Sequence, residues 1–416
     1  MAVLERVSIG SLAQGAVPPG YTFTRSTTAL YVDSDGLLKS AAINTPRRQW
    51  DATNRRWGYV GEGARTNLLL RSQEFDSASW TKTNVAVGGS TTAPNGSSDA
   101  DILLEEANSS SHQTAQAHTF TAVAHTLSVM AKGVGRQWVR LMTYDGTTFR
   151  KAYFDLTNGV VGTADSGVTA SMVSVGGGYY RIWMSSTVAD GAGYAYICGA
   201  LADGGVDDYA GDATKGYALF GAQLEAGPAP SSYIPTTTVA VTRGADLLTR
   251  ALTGPEGTAL STQGTMVVEF SPKHDAVAIH SILSVDSGSV ANSNGVYRYG
   301  TSASGRTLVA SATQYDDGSS SVSNSVYRIA LRWQLNNCRA AVNGVLADAD
   351  DGASTVPTVT SIGVGAYSGG ASPMGGLIYG WTIYDDAKSD AELQALTTPT
   401  TTRNQSRLTL GLGLGL

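Results

Sequence analysis

Two stretches of the chain place aromatic and arginine side chains at every second position, a pattern that suits sugar binding. They are RQWVRLMTYDG at residues 136–146 and GGGYYRIWMSS at residues 176–186. Side chains in a β-strand alternate between its two faces, so each stretch gathers rings and one guanidinium on a single face. The C–H groups of a sugar stack on such rings, and the guanidinium donates charge-assisted hydrogen bonds to the hydroxyls. The candidate carbohydrate-binding residues are Trp138, Arg140, Tyr144, Tyr179, Arg181 and Trp183.

A second interpretation of this pattern stays open. Aromatic side chains on a strand also pack in the core of a sandwich or in an oligomer interface, where arginine stems cover apolar surface. The alternation alone does not choose between a binding face and a packed one.

Histidines and acidic residues offer little for a metal site. His112, His118 and His125 are spaced by six and seven residues, so on strands His125 falls on the opposite face from the other two and we expect no shared ligand set. Two acidic clusters carry the oxygen ligands that Ca²⁺ takes. We expect these clusters to solvate loops, with a structural Ca²⁺ as the alternative, and we expect no cofactor. The clusters are Asp203, Asp207, Asp208 and Asp212, and Asp348, Asp350 and Asp351.

Catalytic motifs are scarce in the sequence. It contains no GxSxG, HExxH or P-loop pattern. Paired carboxylates on one strand, which a glucanase of the lectin-like fold needs, are missing, since Glu269 in TMVVEF stands alone. Glu225, in FGAQLEAGPAPSSYIPT, ends a strand before a proline-rich exit, and we expect it to satisfy nearby backbone or arginine groups rather than to act as a general acid. The chain is therefore expected not to be an enzyme.

The charge of the chain excludes two classes of partner. A formal net charge of −6 has the wrong sign for broad attraction to nucleic acid or to anionic membranes. One local exception is the stretch 47–71, which holds six arginines and two acidic residues. It is either a solvated surface or a docking patch for an acidic partner. The docking candidates are Arg47, Arg48, Arg55 and Arg56.

The elements that position these residues are predicted to be short strands. Forty-nine glycines and 15% charged residues suit turns between strands rather than helical bundles. With 416 residues, the chain exceeds the roughly 250–300 residues that one hydrophobic core serves. Strand-like runs separated by DG, NG and GGG turns predict an all-β chain of two sandwiches.

No secretory signal pattern or long apolar run is seen, and Cys198 and Cys338 predict no disulfide framework.

These patterns divide the chain into five parts. We predict an N-terminal connector at 1–64, a first sandwich at 65–240, a linker at 241–256, a second sandwich at 257–397 and a tail at 398–416. The tail, RLTLGLGLGL at its end, either adds to a partner's sheet or packs in an oligomer, or it is an expression scar or a disordered tail.

Three blocks of sequence resemble the head spike fibre and carbohydrate-binding-like region of tailed-phage structural proteins. They are FTRSTTALYVDSDGLLKSAAINTPR, GEGARTNLLLRSQEFDSASW and FGAQLEAGPAPSSYIPTTTVAVTRGAD, in this order within residues 22–246. The stretch RRQWDATNRRWGYV departs from that family's pattern by being more basic and aromatic. The resemblance implies that the third block is the closing strand of a jelly roll and its exit, and it implies a homotrimer.

Residues 257–397 resemble a laminin-G or concanavalin A-like lectin sandwich. The resemblance is carried by VYRIALRWQLNNCRAAVNGVLA, TSIGVGAY and GLIYGWTIYDDAKSDAELQAL. In these, NG predicts a hairpin turn, and Ser389 with Glu392 three residues later predicts the N-cap of a short helix.

The resemblances together imply a tailed-phage virion protein, a head or tail fibre that attaches to host surface glycans. Residues 1–64 would dock on other virion proteins, namely capsid, portal or tail, after assembly in the host cytoplasm. Two alternatives are a capsid-decorating fibre with a purely structural role and a capsule polysaccharide depolymerase.

Overall fold

The computed structural model describes residues 3–272, 276–300, 302–317, 320–321, 326–347, 353–370 and 372–399. Its first segment contains β1 (Val3–Ser8), a 3-10 turn (Ile9–Ser11), β2 (Thr22–Thr24), β3 (Ala29–Val32), β4 (Leu38–Ala41), β5 (Arg48–Asp51) and β6 (Arg56–Gly61). The second contains β7 (Arg65–Asn67), β8 (Thr81–Thr83), β9 (Val85–Thr91), β10 (Ala100–Glu105), β11 (Ser109–Ser110), β12 (Gln113–Phe120), β13 (Ala124–Val134), β14 (Trp138–Tyr144), β15 (Phe149–Asp155), β16 (Val160–Ala164), β17 (Val168–Ser174), β18 (Tyr180–Thr187), β19 (Gly191–Ala200), β20 (Tyr209–Ala210) and β21 (Gly216–Ala226).

The remaining elements begin at residue 241. They are β22 (Val241–Arg243), β23 (Leu247–Ala251), α1 (Gly254–Leu260), β24 (Gln263–Pro272), β25 (Ala276–Asp286), β26 (Ser293–Gly300), β27 (Ser302–Val309), β28 (Ala312–Asp316), β29 (Ser320–Ser321), β30 (Tyr327–Gln334), β31 (Arg339–Val342), β32 (Val345–Leu346), β33 (Ser361–Val364), β34 (Gly376–Tyr384) and α2 (Asp390–Thr397). In the described part of the chain, no helix has the length and apolar character needed to span a membrane.

The first sandwich packs two six-stranded antiparallel sheets face to face. Sheet I has the order β16-β15-β14-β19-β12-β8, and sheet II has the order β17-β18-β13-β21-β10-β9. Alternation along the strands decides which residues enter the core: Val139 and Leu141 of β14 meet Ile182 and Met184 of β18 in one buried cluster. The aromatic and arginine positions between them therefore point outward from their sheets.

The second sandwich packs sheet III against sheet IV. Sheet III has the order β32-β31-β30-β24-β34-β6-β5, with β1 also paired to β34; sheet IV has the order β2-β23-β33-β25-β26-β27-β28, with β29 paired to β27. Asn343 and Gly344, with φ of 48° and 85°, form the two-residue turn between β31 and β32, which confirms the hairpin predicted from NG.

Helix α2 covers the outer face of sheet III. Ser389 is its N-cap, and its hydroxyl accepts a hydrogen bond from the backbone N–H of Glu392, so the capping box expected from the sequence is confirmed. Leu393 is buried against Val267, Ala330 and Tyr384.

The N-terminal segment is built into both sandwiches. Strands β1 and β6 pair with β34, and β2 pairs with β23, so residues 3–61 complete the sheets of the second sandwich. Ile9, Phe23 and Tyr59 lie in its core. The hairpin β3–β4 packs instead on the outer face of sheet II. The prediction of a connector at 1–64 did not include this strand pairing.

The chain is all-β with two sandwiches, as the turn signals and alternation predict. A jelly-roll sandwich is followed by a concanavalin A-like sandwich, as the resemblances imply. Within the blocks quoted for the resemblances, FGAQLEA, YRIALRWQ, SIGV and GLIYGWTIY fall on strands β21, β30, β33 and β34. The interpretation of the last segment, from 400 onward, and that of Asp348, Asp350 and Asp351 lie outside the described residues.

Candidate functional site

Four aromatic side chains form a continuous surface on the outer face of sheet I. We call this set, Tyr144, Phe149, Tyr194 and Tyr196, the aromatic platform. Tyr144 on β14 lies opposite Phe149 on β15 and Tyr194 on β19. The rings of Tyr144 and Phe149 stack with centroids 4.2 Å apart, and those of Tyr194 and Tyr196 are 5.7 Å apart. Phe149 is 53% exposed and Tyr194 is 40% exposed. Three neighbouring strands thus offer flat rings to solvent.

The turn between β14 and β15 positions two of these rings. Oδ1 of the buried Asp145 accepts hydrogen bonds from the backbone N–H groups of Thr147 at 3.0 Å and Thr148 at 2.8 Å. Its Oδ2 accepts one from the Arg150 guanidinium at 2.6 Å. Burial alone would raise the pKa of Asp145, but these hydrogen bonds outweigh it and hold that pKa well below its usual range. The ionised Asp145 therefore keeps the turn, and the adjacent stacked pair of rings, in one conformation.

A loop at residues 201–208 covers the neighbouring part of the same face. Its Asp207 contacts the guanidinium of Arg140 and lies 3.9 Å from Nζ of Lys151. Tyr153 Oη donates a hydrogen bond to the carbonyl of Gly205 at 3.0 Å. Arg140 is consequently buried beneath the loop, and the platform stays open beside it.

The chemistry of this face suits binding of a neutral polar ligand with flat apolar surfaces. Burial raises the pKa of Tyr196 and of the neighbouring Cys198 thiol, so both remain protonated and uncharged at neutral pH. Lys151 and Asp207 are partly exposed at the border of the platform and are placed to hydrogen-bond ligand hydroxyls.

Acid-base catalysis finds little support near the platform. Asp207 is held by Arg140. Asp155, at the other end of the face, accepts hydrogen bonds from Thr157 and Asn158 in the β15–β16 turn. A general acid or base exchanges a proton with the ligand, and the ion pair of Asp207 and the hydrogen bonds of Asp155 favour the ionised carboxylate, which accepts hydrogen bonds but has no proton to donate.

Trp138, Arg140 and Tyr144 lie on one face, where their alternation in the sequence places them. Only Tyr144 belongs to the open part of that face. Trp138 packs beside Gly162, where an added Cβ would come within 2.7 Å of the indole ring, and Arg140 lies beneath the 201–208 loop.

Tyr179, Arg181 and Trp183 lie on the other side of the sandwich, on the outer face of sheet II. Tyr179 is fully buried and Trp183 is 4% exposed. The hairpin β3–β4 and Tyr233 pack over this face. The two sets of candidate carbohydrate-binding residues therefore do not form one site, and the rings of the second set are covered by the protein itself.

One of the four candidate docking arginines is fully buried. Arg47 forms an ion pair with Glu62 at 2.9 Å and another with Asp246. Asp246 also pairs with Arg25 at 2.8 Å, and Arg243 lies 3.4 Å from Glu62. We call these five residues, Arg25, Arg47, Glu62, Arg243 and Asp246, the junction cluster. Arg47 is thus committed to internal contacts and has no surface to offer a partner.

The other three docking candidates lie on or beside the hairpin β5–β6. Arg48 lies over the ring of Trp57, 5.2 Å from its centroid. Arg56 pairs with Glu269 at 2.7 Å. Arg55 is exposed in the turn, with φ of 51°.

Glu225 ends β21 inside the protein. Its Oε1 accepts hydrogen bonds from the Gln223 side chain at 2.6 Å and from the Ser231 backbone N–H at 2.8 Å. Burial raises the pKa of Glu225, and these hydrogen bonds together with the charge of Arg181 do not cancel that effect. Glu225 therefore holds the chain that exits β21, as its place before the prolines suggests, and it faces no cleft.

The histidines and acidic clusters have local structural partners. His112 packs on Tyr209 with centroids 4.6 Å apart, and His118 lies 6.2 Å from His125. Asp203 accepts a hydrogen bond from the Thr163 backbone N–H. Across the described ranges, no group of three or more His, Cys, Asp or Glu side chains is placed to hold a metal ion.

Three platform residues were missed by reasoning from the sequence. Phe149, in RKAYFDL, and Tyr194 and Tyr196, in YAYICGAL, stand at alternate positions of their strands. That signal was available, and the short hairpin between β14 and β15 brings Phe149 beside Tyr144. Joining Tyr194 and Tyr196 to them requires the pairing of β14 with β19, which is set by contacts distant in sequence.

Comparisons with known proteins give limited similarity. No protein-family model matches the chain, and no curated protein matches it. Among solved structures, the sialidase CBM40 of Ruminococcus gnavus bound to α2,3-sialyllactose matches 34% of this chain and 85% of its own, with 24% identity and a TM-score of 0.29. Domain 4 of AbnA, a GH43 extracellular arabinanase from Geobacillus stearothermophilus in complex with arabinotriose, matches 41% of this chain and 83% of its own, with 14% identity and a TM-score of 0.31.

A third similar structure is the binding domain of botulinum neurotoxin DC in complex with rat synaptotagmin II. It matches 36% of this chain and 39% of its own, with 10% identity and a TM-score of 0.30. Two of the three structures were solved with a saccharide bound. Likenesses at these TM-scores identify no ligand for this chain.

Proposed function

We propose that this protein binds glycans through the aromatic platform. The observation that supports the proposal is the set of four adjacent rings on an open sheet face, of which Phe149 and Tyr194 are about half exposed. Clustered aromatic surface on a sheet face is costly to hydrate and marks an interaction site. Flat rings match the C–H face of a sugar, while Lys151 and Asp207 at the border supply hydrogen bonds to its hydroxyls.

We further propose that the protein is a non-catalytic head or tail fibre of a tailed phage that attaches to host surface glycans. Support comes from the three resembling sequence blocks, which meet in the junction cluster. Arg25 and Arg47 come from the first block, Glu62 from the second, and Arg243 and Asp246 from the third. The three blocks thus supply the residues of the junction cluster. The platform lies outside them, on β14, β15 and β19.

As part of the same proposal, the protein docks on capsid, portal or tail and assembles as a homotrimer. Among the docking candidates, Arg55 on the β5–β6 turn is the one with an open side chain.

Adsorption to bacteria tests the function directly. Phe149→Ala combined with Tyr194→Ala should leave the fold intact, because both side chains are exposed, and should reduce binding of the purified protein to host cells at least about tenfold, since each stacking ring contributes on the order of 1 kcal/mol. The matched control is Tyr299→Ala, which removes a tyrosine that is 63% exposed on the second sandwich. Equal adsorption by all three proteins would overturn the proposal.

The position on the virion requires a separate experiment. Immunogold electron microscopy of purified particles, with antibody against residues 257–397, should label the particle. Label at the tail tip would support receptor recognition, and label on the head would support a head fibre. Particles without label would contradict the virion assignment.

A further inference from the structure

A groove of about 250 Å³ lies on the outer face of sheet III, away from the aromatic platform. Its residues come from four neighbouring strands. Arg6 on β1 and Val267 on β24 both lie opposite Thr382 on β34, and Glu269 on β24 lies opposite Arg328 on β30. Leu396 of α2 lines one side. We call it the sheet III groove.

The groove carries more positive charge than its own acidic residue neutralises. Glu269 already pairs with Arg56 at 2.7 Å, and the guanidinium of Arg56 also lies 3.5 Å from the centroid of the Tyr379 ring. Neither Arg6 nor Arg328 forms an ion pair within the ranges that the structure describes. Two guanidinium groups therefore face one groove without an acidic counterpart, in a protein whose net charge is −6.

The strand pairing places these two arginines on opposite sides of the groove. Strands β1 and β30 are separated by β34 and β24, so their backbones are about 14 Å apart at the usual strand spacing. Side chains of this length reach inward from both sides and leave a space that suits about one sugar ring. Ser8 and Thr382 add hydroxyl groups, and Val267 contributes apolar surface.

We propose that the sheet III groove binds the oxyanion of an acidic saccharide between Arg6 and Arg328. The anion accepts charge-assisted hydrogen bonds from both guanidinium groups, and the sugar hydroxyls meet Ser8 and Thr382. A carboxylate and a phosphate present the same oxygen chemistry to the two arginines. The sugar part of this inference rests on the proposed glycan-binding function, whereas the anion site does not depend on the platform.

Isothermal titration calorimetry on the full chain tests the groove, with digalacturonic acid, glucose 6-phosphate and neutral lactose as probes. At least one acidic probe should bind at least tenfold more tightly than lactose, and the acidic probe that binds identifies the anion. Arg6→Gln combined with Arg328→Gln should weaken that binding at least tenfold. Raising the salt concentration should weaken it as well, because the groove is open to solvent.

The control variant is Arg55→Gln, which removes one positive charge from an exposed turn at the end of the same sheet. It should leave the affinity for the acidic probe within twofold of the unmodified protein. Absence of binding by both acidic probes, affinity equal to that of lactose, or unchanged affinity in the double variant would overturn the inference.

The platform variant separates this inference from the proposed function. Phe149→Ala with Tyr194→Ala should leave acidic-probe affinity unchanged while bacterial adsorption falls. If adsorption is unchanged and the acidic probe still requires Arg6 and Arg328, the platform proposal fails and the groove stands. If the platform variant itself abolishes acidic-probe binding, the groove is not an independent site.

Discussion

Arg47 and Glu62 form an ion pair at 2.9 Å with no exposed surface on the arginine side chain. Buried ion pairs contribute less than their Coulomb attraction suggests, but removing one partner leaves an uncompensated buried charge. The junction cluster has three arginines and two carboxylates, so each carboxylate serves more than one guanidinium. Substitution of a single residue in this cluster should therefore change the stability of the whole protein.

The stability contributed by Glu62 of the junction cluster and by the buried Glu225 should depend on pH in opposite directions. Burial would raise the pKa of Glu62, but Arg243 and Arg47 outweigh it and hold that pKa well below its usual range. Burial raises the pKa of Glu225. A lowered pKa in the folded state contributes stability that is present above the unfolded pKa, about 4.3, and is lost as pH falls below it. A raised pKa contributes stability that is present at low pH and is lost as pH rises through the folded pKa.

Glu62→Gln should accordingly lower the free energy of unfolding at pH 7 by about 3–5 kcal/mol, the usual cost of breaking a buried pair, and the loss should shrink below about pH 4. Glu225→Gln should be neutral or stabilising at pH 7 and should match the unmodified protein at pH 4, because Gln keeps the acceptor for the Ser231 N–H. Denaturant unfolding at both pH values measures these differences. A Glu225→Gln variant that loses as much stability at pH 7 as Glu62→Gln would contradict the assignment.

At the scale of elements, the hairpin β3–β4 decides which face of the first sandwich is open. Its turn residue Gly36, with φ of 79°, lies against Gly176, with φ of 82°. A Cβ on Gly176 would come within 2.6 Å of the Gly36 carbonyl oxygen. This close approach of two backbones holds the hairpin over Tyr179 and requires glycine at both positions.

Gly176→Ala should therefore loosen the hairpin. It should lower the free energy of unfolding by more than the backbone strain of a non-glycine residue at positive φ would. The matched control is Gly167→Ala, because Gly167 has a φ of 77° but no atom within 4 Å of its added Cβ. The control should lower the free energy of unfolding by about 1 kcal/mol or somewhat more, and Gly176→Ala should lower it further. Hydrogen exchange at residues 29–41 should rise in Gly176→Ala alone. Equal exchange in the two variants would show that the contact does not hold the hairpin.

The elements themselves were largely predictable from the sequence, whereas their pairing was not. Alternation and turn residues identified the strands of both sandwiches, and Ser389 with Glu392 identified α2. The same alternation placed Tyr144 and Trp183 on outward faces. Which outward face is covered depends on β3–β4, which is distant in sequence from both β14 and β18. Local patterns carry no information on contacts of that kind, so half of the candidate binding residues fell on the covered side.

At the scale of the whole molecule, the N-terminal segment joins the two sandwiches. It supplies β1, β5 and β6 to sheet III and β2 to sheet IV. Trp381 donates its indole N–H to Glu5 at 2.6 Å and to Tyr21 at 3.0 Å, so buried polar groups of the second sandwich are satisfied from the first 21 residues. The second sandwich is therefore incomplete without them.

Removal of residues 1–64 should leave the second sandwich unable to fold stably. The truncated chain loses core side chains such as Tyr59 and exposes the edge of β34. Circular dichroism and analytical ultracentrifugation should show a lowered melting temperature and aggregation. Adding residues 1–64 back as a separate chain should restore solubility if the strands pair as described. A truncated chain that melts like the full one would contradict this architecture.

The basic stretch 47–71 illustrates how whole-molecule packing changes the meaning of a charge pattern. Six arginines in a short span indicate a surface patch when the sequence is considered alone. The three resembling blocks instead bring Arg47 into the interior with Glu62 and Asp246, and β6 places Arg56 beside Glu269. Whether an arginine is buried depends on carboxylates contributed by distant parts of the chain. A count of the charged residues in one stretch carries no information on those contacts.

The central claim is that the platform of Tyr144, Phe149, Tyr194 and Tyr196 recognises glycans, and a glycan array tests it most directly. The array compares the purified full chain, the Phe149→Ala and Tyr194→Ala double variant, and the Tyr299→Ala control. We predict that the unmodified protein and the control retain the same small set of glycans and that the double variant loses them, with unchanged melting temperatures. Binding of the same glycans by all three proteins, or of no glycan by the unmodified protein, would contradict the account.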